Sequence, residues 1–157
     1  GIGERFGERN YGSYTYEETI RTFFLFLGKK FKKNSMSDKL LTTLSIFPTL
    51  LDFCGITPEG KGHKKSLVPF LSGKNDEVEE KYVFSETGAL HGKYPSPEKS
   101  NVFCIKTSKF KLIYLKTPNE WELYNIENDS QEKNNIFNTG LKIEKELTKK
   151  LLDHINR

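Results

Sequence analysis

The sequence has little of what marks secreted, membrane or nucleic-acid-binding proteins. It holds two cysteines in 157 residues, without a CxxC spacing, so a disulfide framework is not predicted. No apolar run reaches the roughly 20 residues of a membrane-spanning helix, and no secretory signal pattern is present. The net charge is only +4, and no basic stripe is interleaved with aromatic residues. We therefore expect no nucleic acid and no membrane among the partners of the chain.

The few cysteines and histidines do not form a predicted metal site. Cys54 lies in DFCGI and Cys104 in VFCIK, and these apolar surroundings predict two buried free thiols. Free thiols favour a cytoplasmic location, and nothing else in the sequence indicates a compartment. The three histidines lie far apart and have no paired carboxylates, so zinc binding is not predicted.

The first half of the chain predicts one buried strand and short helices. The continuous apolar run TFFLFLG at 22–28 ends at a glycine, which is typical of a strand buried on both faces. Ser45 as N-cap, Pro48 in the first turn and Gly55 as the stop predict a helix with a buried apolar face that includes Leu50. SLVPFLSG adds a short helical turn that ends at Gly73.

The second half predicts an antiparallel meander followed by a helix. Four short segments are rich in aromatic and β-branched residues and are separated by turn residues, which is typical of strands. They are KYVFSE (81–86), NVFCIKT (101–107), FKLIYLK (110–116) and WELYNIE (121–127). Residues 141–155, LKIEKELTKKLLDHI, place apolar side chains along one stripe and predict an amphipathic helix that closes the sheet.

Six motifs occur in the order and at about the separations found in one known family. They are YEETIR (16–21), SIFPTLLDFCGI (45–56), KSLVPFLSGK (65–74), YVFSE (82–86), IKTSKFKLIY (105–114) and ELYNIENDSQEKNNI (122–136). With these motifs the chain resembles the C-terminal part of a sulfatase, within the alkaline-phosphatase-like superfamily. The last motif differs from the usual family segment by Asn125 and Ser130, where Asp and Pro are common.

The resemblance implies an α/β fold, α+β within this segment. It would contain late strands of a central sheet and a small C-terminal antiparallel sheet packed with a terminal helix. Residues 1–75 would be the C-terminal end of the sulfatase-like catalytic domain, and residues 76–157 the antiparallel subdomain with its closing helix.

The resemblance also indicates that the reacting groups lie elsewhere. Sulfatases use a formylglycine made from the Cys or Ser of a C/S-x-P-x-R motif, held against a divalent metal by aspartates. Neither Cys54 nor Cys104 begins such a motif, so no catalytic residue and no metal ligand is expected in this chain. A divalent metal, calcium by family analogy, would belong to the full-length parent, and its ligands would lie upstream of Gly1.

Five residues are candidates for substrate contact. The family has a Lys or His shortly before the YEE motif that contacts the sulfate, but no cation stands at positions 11–15. Arg5 and Arg9 are the nearest substitutes, since a guanidinium can clamp a tetrahedral anion. Glu86, His91 and Lys93 lie in or beside the long irregular segment 85–101, which in the family follows a strand that ends near the active site. All five also fit a solvated surface.

The predicted function is therefore that of a pocket-shaping C-terminal part of a sulfatase-like hydrolase acting on sulfate esters. One alternative is a phosphodiesterase or phosphonate hydrolase of the same superfamily, and another is a noncatalytic module that binds anions or glycans. The expected partners are an anionic sulfate or phosphate ester and the missing N-terminal part of the domain. An exposed sheet edge would also allow self-association.

Overall fold

A computed structural model describes residues 14–29, 31–56, 64–74, 78–88 and 99–157. In chain order the elements are α1 (Glu17–Ile20), a 3-10 helix (Thr43–Ser45), α2 (Ile46–Phe53), α3 (Val68–Leu71), β1 (Val83–Thr87), β2 (Val102–Lys106), β3 (Phe110–Leu115), β4 (Glu120–Asn125) and α4 (Lys142–Ile155). No helix in these ranges is long and apolar enough to cross a membrane.

The chain divides into two compact units. Unit 1 comprises Gly1–Thr22 and Phe84–Arg157, and unit 2 comprises Phe23–Val83. The predicted domain division at residues 75 and 76 stays a prediction.

Unit 1 contains the predicted antiparallel meander. Its four strands are ordered β1-β2-β3-β4, and β3 pairs antiparallel with both β2 and β4. The hairpin between β2 and β3 turns at Thr107, whose side-chain oxygen accepts from the backbone N–H groups of Lys109 and Phe110. These findings confirm the predicted fold class. The strands could be predicted because short aromatic and β-branched segments separated by turn residues are a local signal of β-strands.

Both faces of the sheet are covered. On one face, Ile105, Leu112 and Leu123 form a cross-strand row without solvent exposure, and α4 packs against β2 and β3. By strand alternation, Cys104 and Ile113 lie on the opposite face, where they belong to the same core as Tyr16. The segment that leads into α1 therefore covers the second face.

Unit 2 is organised around α2 and a small aromatic cluster of Phe26, Phe31 and Phe53. The Thr49 hydroxyl is fully buried, donates to the carbonyl of Ser45 at 2.5 Å and accepts from the backbone N–H of Leu67 at 2.9 Å. This contact ties the start of α3 to α2. Gly73, which follows α3, has φ +75°, the left-handed conformation expected of a glycine that ends a helix.

Two predictions for the first half are wrong. Residues 22–28 do not form a strand, and three of their apolar side chains are exposed. Leu50 is 52% exposed, because α2 buries Pro48 and Thr49 instead. The continuous apolar run at 22–28 could not reveal that this segment is exposed. Burial of a strand requires neighbouring strands, and the described residues do not supply them at this segment.

The two cysteines differ in burial. Both are free, but Cys104 is buried in β2 while Cys54 is exposed. Cys54 lies at the C-terminal cap of α2 and is followed by Gly55 with φ +72°. The prediction of a buried thiol is therefore wrong for Cys54, because the helix that buries its apolar neighbours in sequence ends at this residue.

Candidate functional site

Four charged side chains meet on one face of the unit 1 sheet, and we call them the buried charge cluster. They are Glu17, Lys106, Lys111 and Glu132. Lys106 and Lys111 are cross-strand partners in β2 and β3, Glu17 begins α1, and Glu132 follows β4. The cluster thus joins the motifs YEETIR, IKTSKFKLIY and ELYNIENDSQEKNNI.

Lys111 is the centre of this cluster. Its side chain has no solvent exposure, and its Nζ lies 3.1 Å from Glu17 Oε1 and 2.9 Å from Glu132 Oε1. Lys106 Nζ donates to Glu17 Oε2 at 2.6 Å. Two ammonium groups therefore face two carboxylates, and each buried charge has a counter-charge within contact distance, as burial of a charge requires.

The cluster keeps Glu17 ionised. Burial of the Glu17 carboxyl acts to raise its pKa, but the neighbouring ammonium groups of Lys111 and Lys106 outweigh burial, so its pKa lies below its ordinary value. An opposite charge within a few ångströms favours the charged form of a carboxyl. Glu17 is therefore a structural anion at neutral pH and is unsuited to act as a general acid or base there.

Glu132 also caps α1 from a distance. Tyr16, at the N-cap position, makes no side-chain cap, and the backbone N–H of Glu17 donates to Glu132 Oε2 at 2.7 Å. This bond satisfies one of the free donors at the helix start. Glu132 has φ 51°, and the turn before it is held by Asp129, whose carboxylate accepts from two following backbone N–H groups at 3.1 and 2.8 Å.

A second polar contact fixes the same segment. The hydroxyl of Tyr16 donates to Glu122 Oε2 at 2.6 Å, and the hydroxyl of Tyr124 donates to the same oxygen at 3.0 Å. The two tyrosine rings meet edge to face with centroids 6.3 Å apart, a favourable aromatic geometry. Residues 16 and 17 are therefore anchored to the sheet by both a tyrosine pair and the charge cluster.

The arrangement does not suit a metal ion. The Lys111 ammonium already occupies the position between the two carboxylates where a cation would bind. Across the part of the chain that the structure describes, no group of three or more His, Cys, Asp or Glu side chains is placed to hold a metal. The cluster can neutralise charge and fix α1, but it offers neither a metal site nor a nucleophile.

Cys104 does not supply a nucleophile either. Burial in β2 raises the pKa of its thiol, which disfavours the reactive thiolate. This agrees with the absence of a C/S-x-P-x-R motif around it.

One of the five predicted substrate-contact residues, Glu86, lies among the residues that the structure describes. Arg5, Arg9, His91 and Lys93 lie outside the described residues. Glu86 lies on β1 with an exposed side chain, and it has no ion pair or hydrogen bond with another described residue. Its exposure leaves the carboxylate accessible to a ligand, and its role stays a prediction.

Sequence reasoning missed the charge cluster. The motifs that contain Glu17, Lys111 and Glu132 indicate the family, but their sequences alone give these three side chains no role. One signal was present: Lys111 interrupts the apolar pattern of FKLIYLK. A lysine at the inward position of a strand that is otherwise buried on both faces indicates a buried counter-charge.

A comparison with protein-family models assigns the chain. Residues 7–157 match the family described as N-sulphoglucosamine sulphohydrolase, C-terminal. The chain belongs to this sulfatase family. The match includes all three motifs that meet in the charge cluster, and it confirms the resemblance noted in the sequence.

Two curated relatives of this sulfatase C-terminal region come from Bacteroides thetaiotaomicron. An N-acetylglucosamine-6-O-sulfatase is 30% identical over 129 residues, which are 79% of this chain and 22% of the relative. A Delta 4,5-hexuronate-2-O-sulfatase is 29% identical over 124 residues, 77% of this chain and 25% of the relative. The chain therefore spans about a quarter of the length of these relatives.

Solved structures share the fold. A 2-O GAG sulfatase is 26% identical with a TM-score of 0.68, over 90% of this chain and 29% of that one. The phosphonate monoester hydrolase of Agrobacterium radiobacter is 26% identical with a TM-score of 0.55, over 71% of this chain and 24% of that one. The fold is thus shared by hydrolases of two ester classes.

Proposed function

We propose that this chain is the C-terminal part of a hydrolase that removes sulfate from esters of sugars. The family match over residues 7–157 carries the proposal. Both curated relatives described above are sulfatases whose names specify a sugar and the oxygen that bears the sulfate. The sugar and the position of the sulfate on it are left to experiment, because these relatives differ in both.

In this proposal the chain completes the fold and shapes the substrate side of the pocket, while the nucleophile and metal ligands lie upstream. Three observations support the division. The C/S-x-P-x-R motif is lacking, Cys104 is buried, and the carboxylates of the charge cluster are neutralised by lysines. The described residues include no group of side chains that could bind the metal of the parent, which is calcium by family analogy.

In this proposal the segment before α1 positions side chains for the substrate, and the buried charge cluster holds the start of α1 in place. Arg5 and Arg9 lie upstream of Tyr16 in sequence, and residues 16 and 17 are held by buried hydrogen bonds and ion pairs. We propose that these arginines contact the sulfate, and that Glu86, His91 and Lys93 line the pocket for the sugar. Cationic side chains suit the sulfate oxygens, and a carboxylate can accept hydrogen bonds from sugar hydroxyls.

The alternative substrate is a phosphonate or phosphate ester. The similarity to a phosphonate monoester hydrolase favours keeping it, since both anions are tetrahedral and present oxygens to the same kind of cationic contact. The two functions differ in the nucleophile, which this chain does not supply.

The test begins with the gene. The polypeptide encoded upstream of Gly1 is read from the DNA, and the full-length product is assayed on N-acetylglucosamine 6-sulfate, an unsaturated hexuronate 2-sulfate and a phosphonate monoester. We expect release of sulfate from a sulfated sugar, and no release by the 157-residue chain under the same conditions. Hydrolysis of the phosphonate alone would favour the alternative, and turnover by the 157-residue chain would overturn the division of labour.

A further inference from the structure

Unit 1 has a groove along α4, on the side of the helix away from Leu147 and Leu151, and we call it the α4 groove. Phe137 forms one wall. The other wall consists of side chains of α4, which are Glu144, Lys145, Thr148, Lys149, Leu152 and Asp153. The groove has a volume of about 500 Å³, which lies in the range of small-ligand sites in proteins.

The wall at Phe137 is held in place by the sheet. Asn135 Oδ1 accepts from the backbone N–H groups of Leu123 and Phe137, both at 2.9 Å, and Asn135 Nδ2 donates to the carbonyl of Trp121 at 3.2 Å. The rings of Trp121 and Phe137 are stacked, with centroids 5.8 Å apart and planes 10° apart. The Phe137 ring is therefore backed by a second aromatic ring, and a wall fixed in advance lowers the entropic cost of binding a ligand.

The polar side chains of the α4 groove are not used by the described chain. Glu144 Oε2 is shielded from solvent and accepts no hydrogen bond from a described residue, which is unusual for a buried acceptor. Lys145 and Lys149 are exposed and form no ion pair or hydrogen bond with another described residue. They are four positions apart on α4, so their ammonium groups can reach the same anion.

This combination of groups indicates the chemistry of the ligand. Two ammonium groups suit the oxygens of a sulfate, and the carboxylates of Glu144 and Asp153 can accept hydrogen bonds from hydroxyl groups. The apolar surface of Phe137 suits the C–H face of a sugar ring. A simple anion would be repelled by the two carboxylates, and an uncharged ligand would leave both ammonium groups without a partner.

We propose that the α4 groove binds a sulfated sugar. Lys145 and Lys149 contact the sulfate, Glu144 accepts from a hydroxyl group, and Phe137 packs against the ring. This inference rests on the proposed function, because it takes sulfated sugars to be the compounds that the full-length enzyme meets. It goes further in giving α4, which carries no predicted substrate contact, a binding site of its own.

Hydrogen exchange followed by mass spectrometry tests the site in the full-length gene product. Peptides that cover residues 137–153 are followed with N-acetylglucosamine 6-sulfate or an unsaturated hexuronate 2-sulfate in large excess, and peptides from β3 are the internal reference. With at least one of these sugars we expect exchange at 137–153 to slow by about fivefold or more, with β3 unchanged. Unsulfated N-acetylglucosamine and inorganic sulfate, at the same ionic strength, should each slow it by less than about twofold.

Two outcomes of this experiment would overturn the proposal. One is unchanged exchange at 137–153 with both sulfated sugars. The other is equal protection by inorganic sulfate or by the unsulfated sugar, because the proposed site requires the sulfate and the ring together.

A pair of substitutions with the same change in charge tests the contact itself. Lys149→Glu reverses a charge in the α4 groove, and Lys116→Glu does so at an exposed lysine of unit 1 that does not line it. The Kd obtained from protection at 137–153 should rise about tenfold or more in Lys149→Glu, which loses a charge-assisted hydrogen bond, and by less than about twofold in Lys116→Glu. Equal effects would indicate attraction by net charge and contradict the site.

A milder variant keeps this test valid if Lys149→Glu disturbs α4. Faster exchange of α4 without ligand would reveal such a disturbance, and Lys149→Gln then takes its place. An unchanged Kd in Lys149→Gln would contradict the contact with the sulfate.

The assay of sulfate release separates the two proposals. Sulfate release without protection at 137–153 would overturn the α4 groove as a sugar site and leave the proposed function standing. Protection at 137–153 without hydrolysis of a sulfated sugar would contradict the proposed function and leave the sugar site standing.

Discussion

The two units differ in how completely they bury their apolar side chains. In unit 1, Cys104, Ile105, Leu112 and Ile113 have no solvent exposure, and the sheet is covered on both faces. In unit 2 many large apolar side chains are more than half exposed, among them Phe23, Leu25, Leu27, Met36, Leu44, Phe47, Leu50 and Ile56. Unit 1 therefore has a core of its own, while unit 2 presents apolar surface of the kind that marks an interaction site.

The units differ in their charges as well. Unit 1 buries Lys111 between two carboxylates, whereas the ion pair of Lys64 with Glu80 in unit 2 is solvent-accessible, with 41% and 27% of the side chains exposed. An exposed pair contributes little to stability, but removing one member of a buried pair leaves an uncompensated charge. The buried cluster should therefore be a sensitive point of unit 1.

The largest effect is expected from Lys111→Met. This change leaves Glu17 and Glu132 buried without their shared counter-charge and should lower the free energy of unfolding of unit 1 by about 3–5 kcal/mol. The measurement is urea unfolding followed by the fluorescence of Trp121, the single tryptophan.

Lys109→Met is the control for this change. Lys109 lies in the adjacent turn and pairs with Glu127 at the surface, with 60% and 52% of the two side chains exposed. Its replacement should cost less than about 1 kcal/mol. Equal stability of the two variants would show that the buried cluster contributes no more than a surface pair.

A second pair of substitutions compares the cores directly. Leu112→Ala removes a fully buried side chain from β3 and should destabilise unit 1 by about 2–5 kcal/mol. Leu25→Ala removes a side chain of unit 2 that is 71% exposed and should change the stability of the 157-residue chain by no more than about 0.5 kcal/mol. The same unfolding experiment measures both, and a large cost for Leu25→Ala would contradict the open face of unit 2.

A smaller effect is expected from pH. Because the pKa of Glu17 is lower in the folded chain than in the unfolded one, its contribution is fully present above the unfolded pKa of about 4.3. It is lost as the pH falls through the folded pKa. The stability difference between the wild-type chain and Glu17→Gln should therefore shrink from pH 6 to pH 3, and a difference that stays constant would argue against an ionised Glu17.

Much of unit 1 could be predicted from sequence because its signals are local. The strands and α4 follow from apolar periodicity and turn residues, and the motif order indicates the family. The buried charge cluster could not be predicted in this way, because Glu17 and Glu132 are 115 positions apart. Local sequence patterns do not show which face of the sheet a distant segment of the chain will cover.

The errors fall mainly in unit 2, for a related reason. TFFLFLG has the composition of a buried strand, but burial depends on neighbours that the described residues do not provide. Cys54 follows apolar residues, yet it lies where α2 ends. A sequence pattern thus indicates which side chains of a segment can be buried. Whether they are buried depends on the rest of the structure.

The two free cysteines provide the most direct test of the comparison, since each unit carries one of them. Alkylation of the native 157-residue chain by iodoacetamide, followed by mass spectrometry of the peptides, measures both thiols at once. We predict rapid modification of Cys54, and modification of Cys104 that is about a hundredfold slower or more, because it requires opening of unit 1. Similar rates at the two cysteines, or a protected Cys54, would contradict the account of unit 1 as closed and unit 2 as open.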